Sequence, residues 1–340
     1  MAVAMILVVS TWVAVSVGVT APARADQPVS GAFALGGGVG GSIDPRTGQF
    51  SVSVPLVSVA SRGDSSVSFT LGWDQSLAGI GLDRFGFGGG WGLGTTFIET
   101  SGAVTVYPAS GGAYTTDATF ASGLHDYPLQ DLTFAFASGT LPARAGVTDP
   151  VAYNYTISYD DGRVDYFDAD GNLIARVDRF GNRTDLQYQS LGSDQWQPSA
   201  IIDAYGLTTT FTYDSDSLTV AAPARSDGVV AKTVVQFDNE NRVATVTDPG
   251  GNLASFFYTS VSGSPYEYLD SVDGPAGAQT NVTYAQIAYP QADPLFIAQS
   301  LQVTDADGNP LSPTRTFSMD PPGNFSQHNF AGYPNHLSSS

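Results

Sequence analysis

Two short acidic runs have the residue types and spacing closest to a chemical site. They are Asp168–Asn172 and Asp305–Asn309, and both follow the pattern Asp-x-Asp-Gly-Asn. Carboxylates two residues apart before a glycine are typical of the first half of a calcium loop. An EF-hand also needs a third oxygen ligand and a bidentate glutamate at position 12, and neither run has them. A plain β-turn is therefore the favoured interpretation, with calcium binding as the alternative.

Catalytic residues find little support in the rest of the chain. The histidines are His125, His328 and His336, and no G-x-S-x-G motif accompanies them, which disfavours a Ser-His-Asp hydrolase. Ser65 has no base nearby in the sequence. The lack of cysteine excludes thiolate zinc sites and cysteine nucleophiles. We predict no enzymatic activity, no cofactor and no catalytic, cofactor-binding or metal-ligating residue.

Two further motifs have plainer explanations. The run Gly36-x-Gly38-x-x-Gly41 matches a dinucleotide fingerprint, but no strand precedes it and Pro45 blocks a following helix, so it indicates a linker. The tripeptide Arg62–Asp64 matches an integrin motif. It is predicted to form the polar turn between strands over residues 50–59 and 67–71.

Composition narrows the class of protein. The chain has 340 residues, of which 13% are charged, and its formal net charge is -19. Such an acidic chain is a poor nucleic-acid binder, because neutralising phosphates needs a basic face. With 42% hydrophobic and 11% aromatic residues it can bury a core, so disorder is disfavoured. The 38 glycines and 20 prolines disfavour long helices.

The N-terminus is predicted to be a secretory signal peptide. An apolar run from Met5 to Val19 precedes small residues at Ala23 and Ala25, which predicts cleavage between Ala25 and Asp26. A membrane anchor is the alternative, although a span normally needs about 20 apolar residues. We expect a secreted, extracellular protein that is either soluble or held at the cell surface through a partner, with no membrane span after cleavage.

The elements that position these residues are predicted to be β-strands. Phe50, Val52, Val54 and Leu56 alternate with small or polar residues, a period of two that places apolar side chains on one face. Further strands are expected around 67–71, 103–107, 132–137 and 154–159. The glycine-rich passage Phe85–Gly94 indicates bulges and close backbone approach, with its aromatic residues supplying the packing.

A repeat begins after residue 154. Six aspartates have glycine three residues later, and five of those glycines precede asparagine: Asp168, Asp178, Asp203, Asp248, Asp305 and Asp320. This is turn chemistry, in which aspartate caps its own backbone and glycine and asparagine accept positive φ. An aromatic residue stands seven positions after four of the glycines, namely Tyr188, Tyr213, Tyr258 and Phe330, and after a looser copy at Asp273, namely Tyr284.

A second element begins some repeats. Tyr159–Arg163 and Phe237–Arg242 are variants of Tyr-Asp-x-x-Gly-Arg, and an alternating strand follows each. The unit is therefore a hairpin of about 20 to 26 residues, which must stack on its neighbours to bury its apolar face. The 45 residues between Gly206 and Gly251 indicate two units, with a degenerate turn near Asp227.

These motifs resemble the YD repeats of the Rhs proteins, which include bacterial wall-associated proteins, the C components of insecticidal Tc toxins and the teneurins. Residues 44–50 and the glycine-rich passage Phe85–Gly94 resemble the segment that precedes such repeats in secreted members. The resemblance implies an all-β fold with little helix, in which repeated β-hairpins form an extended, spiralling antiparallel sheet. In the family this sheet forms a hollow shell around a C-terminal toxin, or a surface for adhesion.

The expected organisation has five parts: a signal peptide (1–25), a Gly-rich leader (26–43), a β-rich pre-repeat domain (44–153), a repeat region (154–330) and a polar tail (331–340). The leading hypothesis is a secreted structural shell segment of a polymorphic-toxin or cell-surface competition system. The chain would be the N-terminal piece of a longer or split product, or a short open sheet. Its expected partner is a C-terminal toxin or a further repeat segment.

Two other functions stay open. The first alternative is an extracellular carbohydrate-binding or adhesin module, because tyrosines beside acids and amides suit cell-surface sugars; regular spacing nevertheless favours a core role for the repeat aromatics. The less favoured alternative is a carbohydrate-active hydrolase with two acids among the 32 acidic residues.

Overall fold

The computed structural model describes residues 40–44, 48–79, 81, 83–109, 112–116, 124, 131–192, 195–275, 277–289, 292–319 and 337–339. The predicted signal peptide, nearly all of the leader, the three histidines and the Asp320 turn lie outside these residues. Within the described ranges, no helix has the length and apolar character needed to cross a membrane.

The described chain is almost entirely β, as predicted. It has one four-residue helix, α1 (Gln75–Ala78), and these strands: β1 (Gly40–Ile43), β2 (Phe50–Val59), β3 (Val67–Asp74), β4 (Trp91–Leu93), β5 (Phe97–Glu99), β6 (Thr105–Tyr107), β7 (Tyr114–Thr115), β8 (Leu132–Leu141), β9 (Val151–Tyr159), β10 (Val164–Phe167), β11 (Leu173–Val177), β12 (Arg183–Gly192), β13 (Gln195–Ile202), β14 (Thr208–Tyr213), β15 (Ser217–Ala221), β16 (Lys232–Phe237), β17 (Val243–Thr247), β18 (Leu253–Ser260), β19 (Glu267–Asp273), β20 (Gln279–Tyr289), β21 (Ala292–Thr304), β22 (Arg315–Met319) and β23 (Leu337–Ser339).

The strands form three antiparallel sheets. Strands β1 to β4 form the first and β5 to β7 the second, each in sequence order. Strands β8 to β23 form the third, a 16-stranded sheet in which every strand pairs with its neighbour in the chain. We call β8–β22 the repeat sheet and the described residues of 40–116 the N-terminal segment. The predicted extended antiparallel sheet is confirmed, and it is open because β8 does not pair with the last strand.

One hairpin turn recurs along the repeat sheet. Its first N–H donates to the carbonyl of the fifth residue, its fourth N–H donates to the carbonyl of the first, and its fourth residue has positive φ. It closes the hairpins at 159–163, 168–172, 178–182, 203–207, 225–229, 238–242, 248–252, 274–278 and 305–309. Where aspartate begins the turn, its carboxylate accepts from the backbone amides of the third and fifth residues, as Asp248 does from Gly250 and Asn252.

Two details of the predicted turn are wrong. The asparagine after the glycine does not adopt positive φ: Asn241, in a turn without glycine, is the positive-φ asparagine among the described residues. The asparagine instead donates its side-chain amide to the aspartate that begins the turn, as Asn252 does to Asp248. The looser copy starts at Gly274 rather than Asp273, because Gly274 makes the closing hydrogen bonds.

The hairpin period is visible at one end of the strands. In an antiparallel meander successive turns alternate ends, so every second turn lies at the same end. The turns around Gly181, Gly206, Gly228, Gly251, Gly277 and Gly308 share one end, and their spacings are 25, 22, 23, 26 and 31 residues. The degenerate turn at 225–229 divides the 45-residue interval as predicted. The Asp168 turn lies at the opposite end.

Bulges fall at the repeat aromatics. The strand register shifts beside one aromatic residue on each of five even-numbered strands: Phe167, Tyr188, Phe237, Tyr258 and Tyr284. The extra residue lies each time on the next strand in the chain. A bulge adds a residue to one strand and increases the local twist. Strand β14, whose aromatic is Tyr213, has no bulge. The repeat therefore encodes twist as well as turns.

One face of the repeat sheet is packed and the other faces solvent over most of its length. In β14, Thr209 and Phe211 are buried, whereas Thr208, Thr210 and Thr212 are exposed. The packed face shares one continuous core with Phe50, Phe69 and Trp73 and other residues of the N-terminal segment. The large sheet also includes β8, which lies before residue 154, and β9, which crosses it. The predicted domain division stays a prediction.

Candidate functional site

The candidate site is the contact between the N-terminal segment and the packed face of the repeat sheet. Aromatic pairs cross this contact along most of the sheet. They are Phe69 with Phe211, Phe87 with Phe237, Trp91 with Phe256 and Trp73 with Tyr268, with ring centroids 5.9, 6.1, 5.0 and 6.5 Å apart. Each such pair contributes about 0.5–1.5 kcal/mol beyond the area it buries. The segment therefore supplies the cover that the hairpins need.

Close packing explains the glycine-rich passage. Residues 85–90 form irregular turns rather than a strand, and β4 begins at Trp91. Phe85, Phe87 and Trp91 are fully buried, as expected. A Cβ atom on Gly88 would lie 2.8 Å from Cγ of Arg242, so the backbone approaches the repeat sheet closely there. The predicted close approach is found, but in a loop.

Polar side chains also join the segment to the sheet. Gln75 is 2% exposed; its Oε1 accepts from the backbone N–H of Phe50 at 2.8 Å, and its Nε2 donates to the carbonyl of Phe296 at 2.8 Å. The Trp91 Nε1–H donates to the hydroxyl of Tyr258, which donates to the carbonyl of Val243, both at 2.6 Å. Because a buried polar group without a hydrogen-bond partner costs free energy, these hydrogen bonds fix the position of the N-terminal segment on the repeat sheet.

The Asp168 turn is covered by Arg84. The guanidinium donates to the carbonyl of Asp170 at 2.6 Å and to Oδ1 of Asn172 at 2.9 Å, and its side chain is 4% exposed. The backbone N–H of Ile98 donates to the carbonyl of Gly171 at 2.9 Å. Burial lowers the pKa of Arg84 and raises the pKa of Asp168.

The tripeptide Arg62–Asp64 forms the turn between β2 and β3, as predicted, and it docks on another repeat turn. The backbone N–H of Asp64 donates to Oδ2 of Asp178 at 3.1 Å. Hydrogen bonds from Asn182 and from backbone amides, Asp64 among them, outweigh desolvation and lower the pKa of Asp178. Ser65 is fully buried and donates to the carbonyl of Arg62, which makes it structural. This turn is therefore part of the packing interface.

Two buried ionic clusters lie near the start of the repeat sheet. In the first, Arg176 forms two hydrogen bonds with Asp165, at 2.7 and 2.8 Å, and the Tyr159 hydroxyl donates to the same carboxylate at 3.2 Å. Burial and the Asp165 charge raise the pKa of Tyr159. In the second, Arg144 and Arg183 both donate to Oδ2 of Asp185, at 2.5 and 3.0 Å. Removing one member of such a cluster leaves an uncompensated buried charge.

The two Asp-x-Asp-Gly runs form turns that use their leading carboxylates internally. Asp168 Oδ1 accepts from the amides of Asp170 and Asn172, at 3.0 and 2.8 Å, and Oδ2 accepts from the Asn172 side chain at 3.1 Å. Asp305 accepts the corresponding bonds from Asp307 and Asn309. Among the described residues there is no group of three potential metal-ligating side chains. The geometry is that of the β-turn interpretation.

The repeat aromatics belong to the core side of the sheet. Tyr188, Tyr213, Tyr258 and Tyr284 are half-buried and pack against the core cluster. The Tyr284 hydroxyl donates to the carbonyl of Leu269. Burial raises the pKa of all four tyrosines above the ordinary value.

The sequence does not reveal the partners of several residues at this interface. Arg84, Gln75 and Trp91 belong to no repeat, and their partners in the repeat sheet lie 86 to 221 residues away. His125, His328 and His336, together with Gly36 and Gly38, lie outside the described residues.

Comparison with known proteins gives structural neighbours only. No family model matches the sequence, and no curated protein matches it either. The Tc holotoxin pore of Photorhabdus luminescens is similar at 12% identity and a TM-score of 0.32, over 85% of this chain and 16% of that chain. The crystal structure of TcdB2-TccC3 is similar at 14% identity and a TM-score of 0.32, over 85% and 17%. The chain thus spans about a sixth of their length.

Proposed function

We propose that this chain is an exported, non-enzymatic structural segment of an Rhs-type shell. Its N-terminal segment covers the apolar face of the first hairpins, on which further hairpins extend the sheet. The observation that carries the proposal is the single core that the N-terminal segment shares with β8 to β22. A lone hairpin cannot bury its apolar face, so a growing repeat sheet needs such a cover at its start.

The resemblance of the Asp-x-x-Gly-Asn hairpins to YD repeats supports a place in a toxin-delivery or cell-surface competition system. The expected partner is an effector or a further repeat segment, either continuous with this chain or supplied by another. Polar threonines on the outer face of β14 suit a surface in contact with water. Among the described strands, β8 and β23 each pair on one side alone, and such edge strands present backbone groups to a further strand.

The test is to recover the chain from the medium and washed cells of its own producer and to identify what copurifies. We expect it outside the cytoplasm, beginning at Asp26, together with polypeptide that carries further Asp-x-x-Gly-Asn repeats or an effector. The Arg225→Ala chain should keep this partner and the Arg84→Ala chain should lose it, because Arg84 joins the N-terminal segment to the sheet, whereas Arg225 is exposed on a repeat turn. Recovery of the intact chain, alone and in the cytoplasm, would contradict the proposal.

A further inference from the structure

A cleft of about 690 Å³ is lined by residues of the first two sheets of the N-terminal segment. Clefts of about 300–1,000 Å³ are the usual size of small-ligand sites. We propose that this cleft binds a neutral oligosaccharide. The inference is independent of the shell proposal, since it concerns a different surface of the chain.

The floor of the cleft is a flat, hydroxyl-bearing surface. Two rows of small or polar residues cross the first sheet in register: Ser42, Ser51 and Asp74 form one, and Ser53, Gly72 and Gly92 form the other. All six line the cleft. Successive side chains of a strand point to opposite faces of the sheet. The alternate residues of these strands are buried in the core, so the face toward the cleft is polar. The hydroxyls of Ser42 and Ser51 bond each other at 3.1 Å, and Asp74 Oδ1 accepts from the backbone N–H and the hydroxyl of Ser76. Serine hydroxyls both donate and accept, and the second carboxylate oxygen of Asp74 accepts, which suits sugar hydroxyls.

An aromatic wall stands beside this floor. The rings of Phe97 and Tyr107 stack with centroids 4.7 Å apart and an interplanar angle of 7°, and both line the cleft. Phe97 is 9% exposed and Tyr107 is half-buried, so Phe97 holds the tyrosine ring in place. Burial, with a contribution from Glu99, raises the pKa of Tyr107, so its hydroxyl stays protonated at neutral pH. A rigid ring beside hydroxyl groups offers an apolar surface for the C–H face of a pyranose.

Charge decides between ligand classes. Among the lining residues that the structure describes there is no arginine, lysine or histidine, and Asp74 is the one carboxylate. The chain itself carries a formal net charge of -19. Phosphates, sulfated glycans and nucleic acids need cationic groups, so they fit this cleft poorly. A neutral chain of sugars matches both the hydroxyl floor and the aromatic wall.

The test is isothermal titration calorimetry of the mature chain with cellotetraose, maltotetraose and chitotetraose, and with a heparin tetrasaccharide as the anionic probe. We expect at least one neutral probe to bind with Kd below about 1 mM, and Tyr107→Ala to weaken it by about tenfold or more. Ser53→Val fills the floor at an exposed strand position and should weaken binding as well. Tyr205→Ala, at a tyrosine that is 66% exposed on a repeat turn, is the matched control and should bind as wild type.

Three results would overturn the inference: no neutral probe binds, the heparin probe binds instead, or binding is unchanged in both cleft variants. The Tyr107→Ala substitution could loosen the second sheet. If that variant loses the native circular dichroism spectrum, the binding result for Ser53→Val tests the inference instead. A second copy of the chain is the competing occupant. Sedimentation that shows a dimer, converted to monomer by Ser53→Val, would assign the cleft to that copy and reject the sugar. None of these results bears on copurification with a repeat partner.

Discussion

The turns at Asp168–Asn172 and Asp248–Asn252 have the same hydrogen bonds and opposite surroundings. In both, the leading carboxylate accepts from two backbone amides and from the asparagine side chain. Asn172 is 1% exposed beneath the N-terminal segment, whereas Asn252 is exposed. The pKa of Asp168 is raised by burial, and the pKa of Asp248 is lowered by the hydrogen bonds of Asn252.

The difference shows that the repeat motif specifies a turn and not a contact. Local chemistry builds both turns equally, since an Asx turn needs only its own five residues. What singles out the first is its position in the sheet, where Arg84 and Ile98 of the N-terminal segment contact it. Variants at the two turns should therefore separate the cost of breaking a turn from the cost of breaking the interface.

The largest expected effect is at Arg84. Arg84→Ala should lower the free energy of unfolding by about 3–5 kcal/mol, because it empties a buried site and leaves the Asp170 carbonyl and the Asn172 side chain without their donor. Arg225→Ala is the matched control, since Arg225 is 72% exposed and 3.9 Å from Asp227; it should cost below about 1 kcal/mol. Urea unfolding of both variants measures this. Equal losses would mean that Arg84 does not hold the covered turn.

The next effect compares the two turn glycines. Gly171 and Gly251 have φ of +79° and +83°, so alanine at either should cost about 1–2 kcal/mol of backbone strain. A Cβ at Gly171 would also collide with the Ile98 carbonyl, while one at Gly251 meets nothing within 4 Å. Gly171→Ala should therefore lose a further ~1–3 kcal/mol. Denaturant midpoints that coincide for the two variants would show that Ile98 moves aside freely.

A smaller effect is expected at the hydroxyl that joins β4 to the sheet. Tyr258→Phe removes the acceptor of the Trp91 N–H and the donor to the Val243 carbonyl, and should cost about 1–2 kcal/mol. Tyr205→Phe, on an exposed turn, should change the free energy of unfolding by a few tenths at most. Thermal unfolding of the two variants measures this difference. It shows whether the hydrogen bond between Trp91 and Tyr258 stabilises the fold.

The smallest effect is on pH dependence, and its sign differs between the two turns. Asp248, whose pKa is depressed, contributes stability that is present above about pH 3.8 and is lost as the pH falls through its folded value. Asp168, whose pKa is raised, costs stability above its folded value, and that cost disappears between there and about pH 3.8. Asp248→Asn should therefore make the free energy of unfolding fall less steeply with decreasing pH below about pH 3.8. Asp168→Asn should make it fall more steeply just above that pH. Unfolding followed between about pH 3 and 6 would reject this if both slopes changed in the same direction.

Much of the repeat sheet could be predicted from the sequence because its information is local. Aspartate, glycine and their spacing define a five-residue turn, and the period of two assigns a buried face, so the turns near Gly206, Gly228 and Gly251 fall where expected. The predicted positive φ of the asparagine after the glycine is wrong. Asn252 instead stabilises its turn through the hydrogen bond from its side-chain amide to Asp248.

The interface could not be predicted because its partners are far apart in the chain. Gln75 meets the Phe296 carbonyl across 221 residues, and no spacing rule reports that contact. The bulges share this difficulty: Tyr213 stands at the same position in the repeat as Tyr258, yet only Tyr258 follows a register shift. Each depends on how neighbouring strands twist against the segment that covers them.

Amide hydrogen exchange tests most directly whether the N-terminal segment and the repeat sheet are one cooperative unit. The amide of Ile98 is bonded to Gly171 across the interface, and strand β17 lies in the middle of the repeat sheet. We predict that peptides containing Phe97–Glu99 and Val243–Thr247 exchange at the same rate, through global unfolding alone. Fast exchange in Phe97–Glu99 while β17 stays protected would show that the segment leaves the sheet by itself, which contradicts the shared core.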